Sequence, residues 1–428
     1  MELSSPEVDF FSPKVLADPY SFYDRVRADR PVHKLSYGGK TVWMVTTYDL
    51  TKFAFGHPEL FSNDVGAFIA EGSGAHTEVQ DILANGPFGP ITQTVLLVSD
   101  EPTHKRYRSL VNTAFAPPRI AKLGEVIDQM IDELIDGFVE RGACNFTTEF
   151  AVPLPIHFTA QILGLDKSSY GAVREWSDAT LVLVGKMGTK DEEIAAAHTL
   201  VEAQNVLLDL VRRRRVDPRE DLATYLVRAE SEGEEPLRDE ELVPLLSEML
   251  VAGNETTRNT LIGSMVLLHQ HPEQLEILRQ NLSLTAGAVE EILRYYTPLS
   301  GMWRRVTRDL EFGRAKMEAG DLVMLRLEAA NRDETQFPAA NFFDIRRSNA
   351  RTHLSFGYGL HHCLGNALAR RQINLAVPKL LSRLRNSRLD AEKSDLERKP
   401  SLIMHALGDV HLTFDSASKL ALVPAGSA

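Results

Sequence analysis

The sequence predicts a mainly α-helical fold with a small β-rich region, and three observations carry that prediction. Helical spacing of apolar residues dominates from Ile120 to Glu230, and Glu125 to Phe138 (EVIDQMIDELIDGF) is plainly amphipathic. A second helical stretch, LSEMLVAGNETTRNTLIGSMVLLHQHP, runs up to Pro272. Strand-like runs are short: Val42 to Thr46 (VWMVT), patches within GMWRRVTRDLEFGRAKMEAGDLVMLRLEAANRD that turn at Gly313 and Gly320, and VHLTF near the end. No internal repeat or low-complexity linker interrupts the chain, so residues 1–428 are read as a single domain.

The elements follow in order. From Asp18 to Arg30, Pro19 near the start and Phe22 and Val26 at helical spacing predict a first helix, stopped by Pro31. Residues between Asn63 and Thr94 are glycine-rich and lack sustained periodicity, as an irregular covering segment would be. The segment DEPTHKRYRSLVNTAFAP then starts a helix after Pro102, with His104 and Arg108 on one face. Arg212 to Arg215 reads as a solvated basic face. In AVEEILRYYTP, Glu291 and Arg294 are spaced to pair along one helix, an interaction worth only a few tenths of a kcal/mol, about 0.3, when exposed.

Composition excludes several classes. With 43 % hydrophobic and 25 % charged residues the chain is an ordinary globular one, and 47 basic against 59 acidic residues give a net charge of -12, which argues against a nucleic-acid surface. Two cysteines, Cys144 and Cys363, make no disulfide framework and suit a reducing compartment. Cys144, in RGACNF, reads as a small buried residue. The first thirty-odd residues contain charges and no apolar run, so neither a signal peptide nor a membrane anchor is expected there, and a cytoplasmic protein is.

The chemistry concentrates in FGYGLHHCLG, Phe356 to Gly365. Cys363 lies behind Gly357, Gly359 and Gly365, each expected to permit a bend or a close approach, and the helix-rich NALARRQINLAV follows at once. A cysteine at such a loop-to-helix junction meets unsatisfied N–H groups and the positive end of the helix dipole, which favour a thiolate. A thiolate there can be a nucleophile or a metal ligand. An inert buried cysteine, or a zinc site using His361 and His362, are the alternatives, although no second Cys or His pair lies nearby to complete four zinc ligands, the usual number, roughly.

The pattern Phe356-x-x-Gly359-x-His361-x-Cys363-x-Gly365, followed by Leu368-Ala369-Arg370, resembles the haem-ligand signature of the cytochrome P-450 family, in its soluble bacterial type. The resemblance implies the cytochrome P-450 fold, haem b (iron protoporphyrin IX) as cofactor, and Cys363 as axial iron ligand. Phe356, Gly357 and Gly365 belong to the same haem-holding loop. It implies haem-propionate contacts from His104, Arg108, Arg304 and His361, with Arg305 the neighbour that could be mistaken for Arg304.

AGNETT resembles the family's oxygen-binding segment. That places Ala252 and Gly253 over the iron, Thr256 as the proton-delivering alcohol and Glu255 as its acid; Asn254 stands where many relatives have histidine. Glu291 and Arg294 match the family's Glu-x-x-Arg pair, completed by Arg347 rather than Arg346, as a structural brace. Pocket residues would come from Phe68, Phe88, Ile91, Leu299 to Met302 and Met404 to Ala406. Trp176 and Leu181 to Val184 fit a pocket roof or simple core packing equally well.

The implied reaction inserts one oxygen atom into a small hydrophobic substrate of terpenoid, steroid, fatty-acid or polyketide type. With no nucleotide fingerprint or iron–sulfur cysteine set in the sequence, electrons would come from a ferredoxin and an NAD(P)H-dependent ferredoxin reductase. The docking side would be that of Cys363, near Arg106, Arg351, Arg370 or Arg371. No membrane or nucleic-acid partner is expected.

Overall fold

A computed structural model describes residues 9–66, 77–89, 96–185, 188–230 and 233–416. Ten strands and a larger helical body make up the described chain. Strands β1 (Val32–Tyr37), β2 (Lys40–Val45), β3 (Phe61–Ser62), β5 (Gly301–Val306) and β8 (Leu322–Arg326) form one sheet in the order β1-β2-β8-β5-β3. Strands β4 (Ala143–Asn145), β9 (Arg388–Leu389) and β10 (His411–Thr413) form a second, and β6 (Leu310–Phe312) pairs with β7 (Ala315–Met317). The β6–β7 turn uses Gly313 at φ 56°, where glycine avoids the left-handed penalty.

Ten helices position the site. They are α1 (Tyr20–Asp29), α2 (Tyr48–Gly56), α3 (Thr103–Asn112), α4 (Pro117–Asp136), α5 (Pro153–Leu163), α6 (Tyr170–Gly185), α7 (Lys190–Val216), α8 (Asp239–Gln270), α9 (Thr285–Tyr296) and α10 (Asn366–Arg383). The predicted first helix is α1, two residues shorter at its start, and the strand expected over 42–46 is β2. Helix α8 is central: it packs against α5, α6, α7, α9 and α10. Its first turn carries Asp239, Glu240 and Glu241, suited to the positive helix end, and Glu241 accepts the Arg238 N–H at 2.9 Å.

One expectation about the surface is corrected. Arg214 is not on a solvated face: it is buried, its Nη2 donates to the Gly164 carbonyl, and it pairs with Asp221. Arg212, Arg213 and Arg215 are exposed, as expected. Cys144 is the buried small residue expected, and burial pushes its thiol up to about 12. Helix α7 is, by length and composition alone, apolar enough to cross a membrane. Its apolar face packs on α6 and α8, which accounts for that composition.

A buried charge cluster ties the N-terminal region to the sheet. Glu328 Oε1 accepts from Arg326 Nη2 and from the Tyr23 hydroxyl, both at 2.6 Å, and Oε2 accepts from Arg398 Nη1 at 2.8 Å. Burial alone would raise this carboxyl, but Arg398 and Arg326 together hold it down at about 2, from an ordinary 4.5. The sign follows from linkage. A depressed carboxyl contributes stability above its unfolded value and loses it as pH falls through the folded one, here between 4.5 and about 2. The cluster therefore predicts that Glu328→Gln lowers stability by about 3 kcal/mol at neutral pH. Denaturant melts from pH 6 to 3 check this: the gap to wild type should narrow only below pH about 4.5, and a gap independent of pH would refute the ionised assignment.

Candidate functional site

The loop before α10 folds back so that Cys363 N–H donates to the Phe356 carbonyl at 2.9 Å. Two glycines make that fold possible. Gly357 has φ 69° and Gly359 φ 74°, and a Cβ on Gly359 would lie 2.5 Å from the Phe55 carbonyl oxygen. Gly365 takes an ordinary backbone: its φ is -82°, and a Cβ built there would meet nothing within 4 Å. Its N–H lies beside the Cys363 sulfur, and its carbonyl accepts the Ala369 N–H at 2.9 Å.

The free thiol is subject to two opposed influences. Burial pushes Cys363 up, and the N–H groups of Gly365 and Asn366, with Arg108 and Arg370 nearby, oppose this without reversing it. The start of a helix is a weaker influence here than the loss of water. A bound cation, rather than α10, is what would hold the sulfur as thiolate.

Four basic side chains converge beside the loop. His104, on α3, is buried, with its ring 3.9 Å from that of His361. Its Nδ1 lies 3.5 Å from the Glu101 carboxylate, and neither ring nitrogen makes a well-formed hydrogen bond. Arg108 donates to the His362 carbonyl at 2.9 Å. Arg304, on β5, is 3 % exposed, lies over the Phe55 ring at 4.9 Å and donates to the Trp303 carbonyl at 2.7 Å. No carboxylate pairs with Arg304 among the described residues, whereas exposed Arg305 pairs with Asp64. Burial pushes Arg304 down to about 10 and, with His104, Arg304 and Arg108 adding to it, His361 down to about 3. Asp100 offsets only part of the cost of burying the Arg304 guanidinium, and carboxylates brought by a ligand would offset more of it.

The opposite wall is α8. Ala252 is exposed in mid-helix although Leu250 and Asn254 on either side are buried. Gly253 and Thr256 are partly exposed, so the helix presents Ala252, Gly253 and Thr256 to an opening. Thr256 Oγ1 donates to the Ala252 carbonyl at 2.9 Å. Glu255, one position away, faces elsewhere: it is buried, paired with Arg258 at 2.6 Å and accepts from Asn259 at 3.1 Å. Burial raises its carboxyl, Arg258 and Asn259 oppose that, and Asp178 reinforces it. Asn254 donates to Ser177 on α6 at 2.9 Å, so it fastens two helices together.

Bracing lies behind the loop. Glu291 accepts from Arg294 at 2.7 and 2.8 Å and from Arg347 at 3.2 Å, while Arg346 approaches only Asp344, at 3.9 Å. A second brace was not foreseen. Glu290 accepts from Arg370 at 2.7 and 3.0 Å and contacts His353 at 3.1 Å; although burial opposes it, these partners hold its carboxyl at about 2. The doubled acids of AVEEILR were the available signal, since helix neighbours point to different partners. Arg370 is thereby removed from the proposed docking set, and so is Arg106, which pairs with Glu241 at 2.7 Å and Glu234 at 3.5 Å. Arg351 and Arg371 are exposed.

The pocket residues divide. Leu299 bridges Met404 in antiparallel fashion, so the two predicted segments, Leu299 to Met302 and Met404 to Ala406, are neighbours. Leu181 is half-buried on α6, but Trp176 lies in the core beside Val173 and Leu207, where packing accounts for it. Phe88 packs on the same core. Phe68 and Ile91 lie outside the described residues, as does the side chain of Val184.

A half-buried cysteine at the start of α10, with basic side chains gathered beside its loop and no carboxylate in ion-pair contact with Arg304 among the described residues, suits a carboxylated group held through that sulfur. Known proteins agree. A family model described as Cytochrome P450 matches residues 200–412. The chain is 35% identical to Cytochrome P450 107B1 of Saccharopolyspora erythraea over 94% of this chain and 96% of that one. It is 32% identical to the steroid C26-monooxygenase of Mycobacterium tuberculosis over 97% and 99% of the two. Its fold is similar to that of cytochrome P450 CREJ in complex with (4-ethylphenyl) dihydrogen phosphate, with TM-score 0.87, 30% identity and coverage of 95% and 99%. The chain belongs to the cytochrome P450 family. It is a haem b monooxygenase that inserts one atom of dioxygen into a hydrophobic small molecule.

Proposed function

We propose that Cys363 is the axial haem ligand, that His104, Arg108, Arg304 and His361 hold the propionates, and that Ala252, Gly253 and Thr256 line the oxygen-binding side. Residues 1–428 then form one cytoplasmic catalytic domain. The observation that carries this reading is the convergence of those basic groups, with no carboxylate in ion-pair contact with Arg304 among the described residues, on the loop that presents the half-buried Cys363. Haem b bound through a thiolate supplies dioxygen activation, one atom entering the substrate and the other leaving as water.

The chain's own part is proton handling and positioning. Thr256 Oγ1 spends its proton on the Ala252 carbonyl and keeps lone pairs free to hold a water in the opening. Glu255 makes no direct hydrogen bond to Thr256; its carboxyl, raised by burial, is a proton reservoir reached through water or a turn of the side chain away from Arg258. Thr256→Ala should therefore leave NADH use within about threefold while product formed per NADH falls by about tenfold, a loss in the range of general acid–base contributions. Equal yields in the two proteins would remove Thr256 from this role.

Electrons are assigned to a ferredoxin and its NAD(P)H-dependent reductase, docking on the cysteine side near Arg351 and Arg371. Reversing both charges should slow haem reduction by about tenfold and flatten its dependence on salt. A rate and salt profile like those of wild type would place the partner elsewhere. The substrate class stays broad, with steroids inside it because a relative of this chain is a steroid C26-monooxygenase.

A further inference from the structure

Glu248 is a carboxyl on the open side of α8 that the chemistry above does not use. It lies one turn before Ala252 and two before Thr256, on the same face. Its Oε2 accepts the Leu96 N–H at 3.3 Å, and the Leu97 N–H also points at it. Leu96, whose N–H it accepts, is buried.

The loop that meets Glu248 also reaches the propionate side. The Ser99 backbone contacts His361, and Asp100 Oδ1 accepts the Asn63 N–H at 2.8 Å. Glu248 thus stands where the central helix, this loop and the opening meet.

No basic side chain pairs with Glu248 among the described residues. Residues 90–95, PITQTV, which lead into Leu96, contain none by sequence. Burial, only partly offset by the Leu96 and Leu97 N–H groups, pushes the carboxyl up to about 7. Two backbone N–H groups could be satisfied by a neutral acceptor at far lower cost. No basic residue among the described ones meets this carboxyl, which leaves it able to take a positive group from a ligand.

We propose that Glu248 is a specificity residue that pairs with a cationic nitrogen on an otherwise hydrophobic substrate. The proposal rests on the haem-site reading above and narrows its substrate class. At 1.5 Å of rise per residue, Ala252 and Thr256 lie roughly 6 and 12 Å along the helix from Glu248. The carbon to be oxidised therefore lies further along the helix, towards Ala252 and Thr256, than the nitrogen.

The test uses ferric holoenzyme and two probes: 4-phenylbutyltrimethylammonium, and the neutral compound in which carbon replaces its nitrogen. A quaternary nitrogen has no lone pair and cannot ligate iron. Binding is read by the spin-state shift of the Soret band and by calorimetry, in wild type, Glu248→Gln, Glu248→Asp and Glu248→Leu. Glutamine keeps an acceptor for the Leu96 N–H, so it removes charge and little else.

The expected result is that the cationic probe weakens by about tenfold relative to the neutral one in Glu248→Gln and Glu248→Leu, with part of the preference restored in Glu248→Asp. A relative change below about threefold in both neutral variants overturns the proposal, as does a wild type that fails to bind the cationic probe. Absence of the thiolate Soret signature in wild type would instead overturn the haem-site reading, a result visible before any probe is added.

Discussion

Cys363→Ser is expected to abolish the red-shifted Soret band of the reduced carbon monoxide complex, and monooxygenase activity with it. The substitution exchanges a polarisable, electron-donating sulfur for a hydroxyl that does not ionise near neutral pH, so the electron donation that favours O–O cleavage is withdrawn. The loop should survive. Its fold depends on the backbone bond from Cys363 N–H to Phe356, on the Asn366 side chain donating to the Cys363 carbonyl at 2.7 Å, and on the left-handed glycines, none of which involves the sulfur. The basic cluster of His104, Arg108, Arg304 and His361 is equally untouched, so some haem should remain bound. Loss of activity should exceed the roughly 10–100-fold typical of changes to groups behind a metal ligand. A serine variant that kept the wild-type carbon monoxide spectrum would move the ligand away from residue 363.

That prediction could be written from ten residues, which shows what kind of feature a sequence displays. The cysteine loop and the Glu291–Arg294 pair are local patterns, and that pair is formed in the structure; the preference for Arg304 over Arg305 rests on the family resemblance instead. Arg347 is the case in between: the sequence offered two adjacent arginines, and the deciding fact is that Arg347 reaches carbonyls at Pro338, Ala339 and Phe342 as well as Glu291.

What stayed hidden depends on distant chain closure. Glu328 is held by Tyr23, Arg326 and Arg398, three segments with no common pattern. Arg214 sits in a basic run whose other members are exposed, and only the approach of Asp221 and Gly164 shows that it is buried. Part of what acts on the Cys363 thiol is hidden for a related reason. A helix start is visible in sequence, but the depth at which the fold buries it is not, and burial is the larger influence on that thiol.

The second large effect is expected at Glu291, far from any reacting atom. One carboxylate there serves two guanidinium groups: Oε1 accepts from Arg294 at 2.8 Å, Arg347 at 3.2 Å and the Asp344 N–H at 3.0 Å, and Oε2 accepts from Arg294 at 2.7 Å. Glu291 and Arg294 are both fully buried. In Glu291→Gln one oxygen becomes a donor facing a donor, and Arg294 and Arg347 lose the one carboxylate that pairs with them among the described residues. Breaking a buried pair in this way costs about 3–5 kcal/mol, a large part of the roughly 5–15 kcal/mol that holds a domain folded.

The consequence should reach Cys363 through Asn331. Arg294 donates to the Asn331 carbonyl at 2.8 Å, and the Asn331 side chain in turn accepts the Leu354 N–H at 2.7 Å and donates to Ser355 at 2.9 Å, at the root of the cysteine loop. Glu291→Gln should thus lower both the melting temperature and the haem content, the ratio of Soret to protein absorbance falling by more than about half. Arg346→Ala, which removes only a long, exposed pair with Asp344, serves as the control and should change stability by no more than about 0.5 kcal/mol. If Glu291→Gln melted and bound haem like wild type, the brace would have to be carried by Glu290, Arg370 and His353 instead.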